Sequence, residues 1–158
     1  MILIAYDGSA DARAAIQRAG QLLSGHPATV LSVWERFQDV LTRSGAGMPI
    51  GSVDYDELDR SYDEQARERA EEGAELARDA GLKAQPRTCV RRGSIADTIL
   101  TEADELGAEA IVLGTRGLTG LKSLLLGSVS HALVQHADRP VIVVPSPELA
   151  AERAARRR

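Results

Sequence analysis

The sequence predicts an α/β domain built on an open parallel sheet of five strands, with helices on both faces. Strand-like and helix-like segments alternate along the chain, beginning and ending with a strand, and this order is typical of parallel sheets. The strand-like segments are almost wholly apolar, as expected for strands that are covered on both faces. At 158 residues and 44% hydrophobic content the chain suits one domain, and its core must come from Val, Ile, Leu and Ala because aromatic residues make up only 3%.

Five short apolar runs carry the strand signal. Asp7 and Gly8 end the first run, and Gly114 ends the fourth. Pro86 interrupts the third run, so that strand belongs at a sheet edge or at a bulge, where no backbone donor is needed. The predicted strands are 2–6, 29–33, 82–90, 110–113 and 141–144.

Four helices are predicted between these strands from apolar spacing and capping residues. The inward positions of the first helix include Leu22, and those of the third begin with Ile95. Ser94 and Asp97 form a capping box at the start of the third helix. The four helices run from the cap Ser9 to the stop Gly25, over about 54–80 with Gly81 as the cap, from Ser94 through Leu106, and over 128–137.

Two segments lack such a pattern. Residues 35–53 are rich in glycine and exceed the usual length of a connection, so we predict a long loop that is either a flap over a binding site or disordered. A basic C-terminal tail, 147–158, follows the domain 1–146 and ends in three arginines. The tail can form a frayed helix, and a solvated terminus is favoured for it over a weak contact with an acidic partner.

The strongest functional signal is the segment 111–130, which reads IVLGTRGLTGLKSLLLGSVS. A buried strand stops at Gly114, Gly117 follows, and Gly127 and Ser128 come directly before a helix. Glycines let backbone N–H groups approach phosphate oxygens, and a helix start adds unpaired donors and the positive end of a dipole. The spacing matches neither GxxxxGK[ST] nor GxGxxG, and the remaining pattern, G-x2-G-x9-G-S, predicts a triphosphate cradle.

A second feature points to the same place. In open α/β sheets, ligands bind at the carboxyl ends of the strands where the strand order reverses. If strands one and four are neighbours at that point, Asp7 and Gly114 lie on the same rim of the sheet.

Together with the segments ILIAYDGS, LSVWE, RRGSIADTIL and RPVIVVP, this motif resembles the ATP-binding branch of the universal stress protein family. The resemblance implies a Rossmann-like sheet of order 3-2-1-4-5 and bound ATP, with Mg²⁺ or Mn²⁺ carried by the phosphates. It also implies a homodimer through the last strand, Val141–Val144, whose exposed apolar edge would otherwise invite aggregation.

The resemblance places Asp7 beside the nucleoside, the backbone of Val33 at the adenine, and the phosphates on the glycine segment. On the residues alone, each has a second interpretation. The glycines and Asp7 are also common turn residues, Val33 suits a core, Ser128 suits a helix cap, and Arg116 and Lys122 either pair with phosphates or are solvated. The expected nucleotide-binding residues are Asp7, Val33, Gly114, Arg116, Gly117, Gly127, Ser128, Val129 and Ser130.

The resemblance, together with these observations, implies a nucleotide-responsive regulatory module, with an unidentified protein partner, that acts in stress adaptation. No residue suggests a general base, so catalysis is not expected; a slow ATPase and a structural dimer without nucleotide are the alternatives. A net charge of -4 and scarce aromatic residues argue against nucleic-acid binding. No apolar run approaches the ~18 residues of a membrane helix, and the single cysteine, Cys89, suits a core position in a cytoplasmic protein.

Overall fold

The computed structural model describes residues 1–45, 54–118 and 126–157, which form one five-stranded parallel sheet and six helices. The strands are β1 (Ile2–Ala5), β2 (Pro27–Trp34), β3 (Lys83–Val90), β4 (Ala110–Gly114) and β5 (Val141–Val144). The helices are α1 (Ala10–Leu22), α2 (Phe37–Ser44), α3 (Tyr55–Asp79), α4 (Ile95–Glu105), α5 (Ser128–His136) and α6 (Pro147–Ala155). The predicted fold class is confirmed.

The strands lie in the order β3-β2-β1-β4-β5, as the family resemblance implies. Ile2 of β1 is in register with Ala28 of β2 on one side and with Ala110 of β4 on the other. The chain moves outward from β1 to β3 and then returns to the other side of β1, so the order reverses between β1 and β4. The carboxyl ends of these two strands therefore share one rim, as predicted.

Alternate residues of β1 face two separate cores. Ile2 and Ile4 pack with apolar residues of α1 and α3, whereas Leu3 packs with those of α4 and α5. All three side chains are at most 2% exposed. The helices therefore cover both faces of the sheet, which explains why the central strands β1 and β4 are apolar along their whole length.

Small residues let α3 approach the sheet closely. A Cβ atom at Gly73 would lie 2.7 Å from Cδ1 of Tyr6 and 2.8 Å from Cγ1 of Val30, so no side chain fits there. The other buried residues of α3 are all alanines: Ala66, Ala70, Ala74 and Ala77. The backbone of α3 therefore lies close to the sheet, so the core is filled although the chain has few aromatic residues.

Two inward predictions are wrong. Leu22 is 61% exposed because α1 ends at this residue, and Leu23 takes the packing position against the first core. Ile95 is 38% exposed because it is the first residue of α4 and faces an open cavity instead of the core. The predicted capping box of Ser94 and Asp97 is confirmed.

The predicted long loop 35–53 is wrong over α2, and its residues 46–53 lie outside the described part of the chain. Phe37 docks α2 on α3, with its ring centroid 6.1 Å from that of Tyr55 and 6.3 Å from that of Tyr62. The Phe37 backbone N–H also donates to Asp59 Oδ1 at 2.8 Å. Contacts between distant segments hold this helix, and local sequence signals did not reveal them.

The C-terminal segment forms the helix α6. Ser146 caps α6, Pro147 occupies its first turn, and Leu149 is buried. Among the residues that the structure describes, no helix is both long and apolar enough to cross a membrane.

Candidate functional site

A cavity of about 580 Å³ opens at the carboxyl ends of β1, β2 and β4. The turn after β1, the end of β2, the segment after β4 and the first turn of α5 all contribute to its wall. Every one of the nine predicted residues lines it: Asp7, Val33, Gly114, Arg116, Gly117, Gly127, Ser128, Val129 and Ser130.

Packing within the protein, and not backbone conformation, accounts for glycine at Gly114 and Gly117. None of Gly114, Gly117 and Gly127 has a positive φ. A Cβ atom at Gly114 would lie 2.6 Å from the backbone carbon of Asp11, and one at Gly117 would lie 2.6 Å from Asp7 Oδ2. The glycines therefore let the segment after β4 lie directly against the turn after β1 and the start of α1.

Two carboxylates hold this segment in place. Asp7 accepts the Ser9 N–H at Oδ1, 3.0 Å away, and the Leu118 N–H at Oδ2, 3.1 Å away. Asp11, only 5% exposed, accepts the Arg116 N–H at 3.1 Å. The amides of Arg116 and Leu118 are therefore taken by aspartates and do not face the cavity as free donors.

Asp11 also defines the environment of Arg116. The Arg116 side chain is 18% exposed, and its Nε lies 3.6 Å from Asp11 Oδ2. The solvated alternative for this arginine is therefore wrong. Lys122 lies outside the described residues. Sequence reasoning missed Asp11 because an acidic residue in the first turn of a helix is common for reasons of helix electrostatics alone.

A serine brace closes the glycine segment. The Ser130 hydroxyl, on a residue that is 2% exposed, lies 2.8 Å from the Thr115 carbonyl and 3.0 Å from the Gly127 carbonyl, and it donates to them. The Gly127 N–H donates to the same Thr115 carbonyl at 2.8 Å. A hydroxyl has only one proton. The proton of Ser130 is shared between these two carbonyls and joins the two ends of the segment, so it is not available to a phosphate.

The first turn of α5 opens into the cavity without a side-chain cap. Gly127 is the N-cap residue, and among the described residues no side chain bonds to the first-turn amides. Ser128 is the first helical residue, so its predicted role as the cap is wrong. By contrast, serine or aspartate side chains cap α1, α3, α4 and α6. This helix start therefore offers N–H donors and a positive dipole end to a ligand in the cavity.

An unsatisfied hydroxyl lies beside this helix start. Thr115 is 1% exposed and lines the cavity, and its Oγ1 has no hydrogen-bond partner within the described ranges. A buried polar atom without a partner costs about 1–3 kcal/mol, so such atoms commonly mark places where a ligand or water completes the structure.

Val33 lies where one edge of β2 becomes open. The pairing of β2 with β1 ends at Leu31, whose carbonyl accepts the Tyr6 N–H at 2.9 Å, whereas its pairing with β3 continues to Trp34. The backbone of Val33 therefore borders the cavity on the side that β1 no longer covers. The Val33 side chain packs against the second core.

Two further arginines line the cavity, and sequence reasoning missed both. Arg43, on α2, contacts Glu35 Oε2 at 2.6 Å, and Glu35 also binds Arg91 at 3.1 Å. Arg69 reaches the cavity from α3. Both belong to helices that carry no phosphate-binding motif, so only the folded arrangement brings them to the site.

A buried tyrosine anchors the turn after β1. The Tyr6 hydroxyl donates to Glu72 Oε1 at 3.0 Å, and Arg13 donates to the same oxygen at 2.6 Å. Burial, together with this hydrogen bond, raises the pKa of Tyr6 to about 12. The hydrogen bond from Arg13 is the main cause that lowers the pKa of Glu72, and the hydrogen bond from Tyr6 lowers it further.

Comparison with known proteins places this geometry in a family. The universal stress protein family matches residues 1–145. The universal stress protein YxiE of Bacillus subtilis is 31% identical over 145 residues, which cover 90% of this chain and 97% of the relative. A putative universal stress protein of Staphylococcus aureus strain USA300 is 33% identical, covering 96% of this chain and 87% of the relative.

Solved structures agree with this assignment. The hypothetical protein MJ0577 superposes with a TM-score of 0.72 at 25% identity, covering 91% of this chain and 94% of that one. A universal stress protein from Archaeoglobus fulgidus in complex with dAMP shares the fold, with a TM-score of 0.58 at 24% identity and coverage of 90% and 95%. Further proteins of this fold were solved in complex with cAMP and with AMP. The chain belongs to the universal stress protein family.

Proposed function

We propose that the chain binds ATP in this cavity and acts as a nucleotide-responsive regulatory module in stress adaptation. The observation that carries the proposal is the start of α5, which opens into the cavity without a side-chain cap beside the unsatisfied Thr115 hydroxyl. A phosphate group supplies the acceptors that both lack. Relatives of the same fold with bound dAMP, cAMP or AMP support a nucleotide as the ligand.

The hydrogen bonds already present narrow the set of phosphate donors. Since Asp7 and Asp11 take the amides of Leu118 and Arg116, the proposed donors are the amides of Gly117 and of the first turn of α5, with the Ser128 hydroxyl. The adenine is placed against the open backbone of Val33 and the nucleoside beside Asp7. Mg²⁺ or Mn²⁺ is carried by the phosphates in this proposal.

A proline substitution tests the donor role of the helix start. Ser128→Pro removes the first backbone N–H of α5 at a position that proline favours, and the preceding Gly127, at ψ 162°, already has the extended conformation that a following proline requires. We expect ATP affinity, measured by isothermal titration calorimetry, to fall by about tenfold or more, since hydrogen bonds to charged groups contribute about 1.5–3 kcal/mol.

Ser128→Ala is the matched control, because it removes the hydroxyl and keeps the amide. It should lose less affinity than Ser128→Pro. A folded Ser128→Pro variant that binds ATP as well as the wild type does would contradict the placement of the phosphates. A wild-type protein that binds no adenine nucleotide would contradict the proposed function itself.

Slow ATP hydrolysis and a nucleotide-free structural dimer remain the alternatives. Chromatography of the small molecules released by denaturing freshly purified protein separates them. ATP supports the binding module, predominantly ADP indicates turnover, and no nucleotide favours the structural dimer.

We also propose that the chain is a homodimer through β5, which is an edge strand of the sheet. Val141, Ile142 and Val143 are each only partly buried in the single chain. An apolar edge of this kind is covered when it pairs with the same strand of a second copy.

A further inference from the structure

Arg69 lies at the wall of the cavity, outside the glycine motif and its flanking helix. Its side chain extends from α3 over the turn after β1, where its Cγ, Cδ and Nε atoms lie 3.9–4.0 Å from the position of a Cβ atom on Gly8. Gly8 follows Asp7, whose carboxylate contacts the glycine segment. Arg69 therefore reaches the cavity at the turn after β1, which holds the glycine segment in place.

The three arginines that line the cavity differ in their pairing. Arg43 pairs with Glu35 at 2.6 Å, and Arg116 lies 3.6 Å from Asp11. Arg69 has neither a hydrogen bond nor an ion pair with any residue that the structure describes. Glu72, one turn further along α3, is already bonded to Arg13 and Tyr6. Arg69 acts on Glu72 only through its charge, which helps to lower the pKa of that carboxyl, so the guanidinium keeps its hydrogen-bond donors for a ligand at the site.

This charge has a physical consequence for the ligand. A partly buried guanidinium loses hydration, and an anion that binds beside it restores the lost interaction. Its planar set of donors matches the oxygens of a phosphate, which accept two parallel hydrogen bonds. The start of α5 and Arg69 together give the cavity two separate elements that favour negative charge.

We propose that Arg69 is a further nucleotide-binding residue, which contacts a phosphate and makes the cavity select phosphorylated over unphosphorylated nucleosides. This inference rests on the proposed ATP-binding function. It assigns to α3 a role in ligand choice that the glycine motif does not supply.

Arg69→Met tests the inference, because methionine keeps an apolar stem over Gly8 and removes the charge. The dissociation constants of ATP and of adenosine are measured for each protein by isothermal titration calorimetry at two salt concentrations. We expect ATP to bind about tenfold more weakly to Arg69→Met, adenosine to bind within about twofold of the wild type, and the salt dependence of ATP binding to decrease.

Arg67→Met is the matched control on the same helix. Arg67 is 71% exposed and pairs with Asp63, and it does not line the cavity. This variant should bind both ligands as the wild type does. Arg69→Lys, which keeps a charge but not the planar fork, should recover part of the ATP affinity and serves as the readout if Arg69→Met fails to fold.

The outcomes distinguish a failure of the Arg69 inference from a failure of the proposed ATP-binding function. If Arg69→Met binds ATP with wild-type affinity, the role of Arg69 is overturned and ATP binding stands. The same holds if Arg69→Lys loses affinity for ATP and for adenosine equally. An equal loss for both ligands in Arg69→Met shows that the residue only shapes the cavity, and also overturns the inference. Absence of ATP binding by the wild-type protein overturns the proposed function together with this inference.

Discussion

At the residue scale, the functional rim is organised by acidic side chains that act on the protein's own backbone. Asp7 and Asp11 each accept an N–H of the segment after β4, and Asp7 also accepts that of Ser9. These bonds fix which amides remain for a ligand. The sequence predicted the location of Asp7, but its partner Leu118 lies 111 residues further along the chain, so this contact could not be predicted from local pattern.

Asp11→Ala is expected to destabilise the protein and to weaken ATP binding. The substitution leaves the Arg116 amide without its acceptor and the mostly buried Arg116 guanidinium without its carboxylate. A buried donor without a partner costs about 1–3 kcal/mol, so the free energy of unfolding, measured with urea, should fall by about that amount.

Asp11→Asn keeps an oxygen acceptor at the same place and is the matched control. It should retain more stability than Asp11→Ala. Equal stability of Asp11→Ala and wild type would show that these hydrogen bonds do not hold the segment in solution.

The raised pKa of Tyr6 predicts that the folded protein loses stability at high pH. Its pKa is raised from 10.0 to about 12 in the folded protein, chiefly by burial and also by its hydrogen bond to Glu72. A group whose pKa is raised by folding contributes stability that is fully present below the unfolded value and is lost as the pH rises toward the folded value. The free energy of unfolding should therefore decrease between about pH 10 and pH 12.

Tyr6→Phe isolates this contribution, because it removes the titrating hydroxyl and leaves the ring in the core. Its free energy of unfolding should depend less steeply on pH over the same interval. Parallel curves for the two proteins would show that Tyr6 does not titrate differently in the folded and unfolded states.

At the scale of elements, a helix or strand was predicted correctly where the signal for it lies in its own sequence. The five strands and four of the helices were predicted because their apolar spacing lies within the element itself. The helix α2 was missed because the glycines that follow it indicated a long loop, although Phe37, Val40 and Leu41 have helical spacing. Its position depends on aromatic contacts with α3, and Arg43 reaches the cavity only through that contact.

The glycine motif shows the same limit within the site. The sequence correctly predicted a strand, a glycine segment and a helix start at one rim, and the cavity lies there. The reason for glycine differs from the predicted one at Gly114, where the start of α1 leaves no space for a Cβ atom. Packing between β4 and α1 thus imposes part of a pattern that the sequence analysis explained by a bound phosphate or by a turn.

At the scale of the whole molecule, the two edges of the sheet differ. The edge strand β3 contains Lys83, Pro86 and Arg87, and charged residues and proline on an edge oppose pairing with another chain. The opposite edge strand, β5, reads VIVV and carries no such residue. This asymmetry supports pairing of two chains through β5 and not through β3.

Val141→Lys tests the proposed dimer at this edge. Val141 is partly buried and opens β5, and a lysine there would place a charge on the apolar edge of each copy, where it would lose hydration when the two copies pair. We expect sedimentation equilibrium to show a monomer for Val141→Lys and a dimer for the wild type. Val134→Lys, at a position on α5 that is 56% exposed, adds the same charge away from the edge and should remain a dimer. A folded Val141→Lys that dimerises as strongly as the wild type would place the interface elsewhere, because a pair of lysines at a shared apolar edge cannot leave the association unchanged.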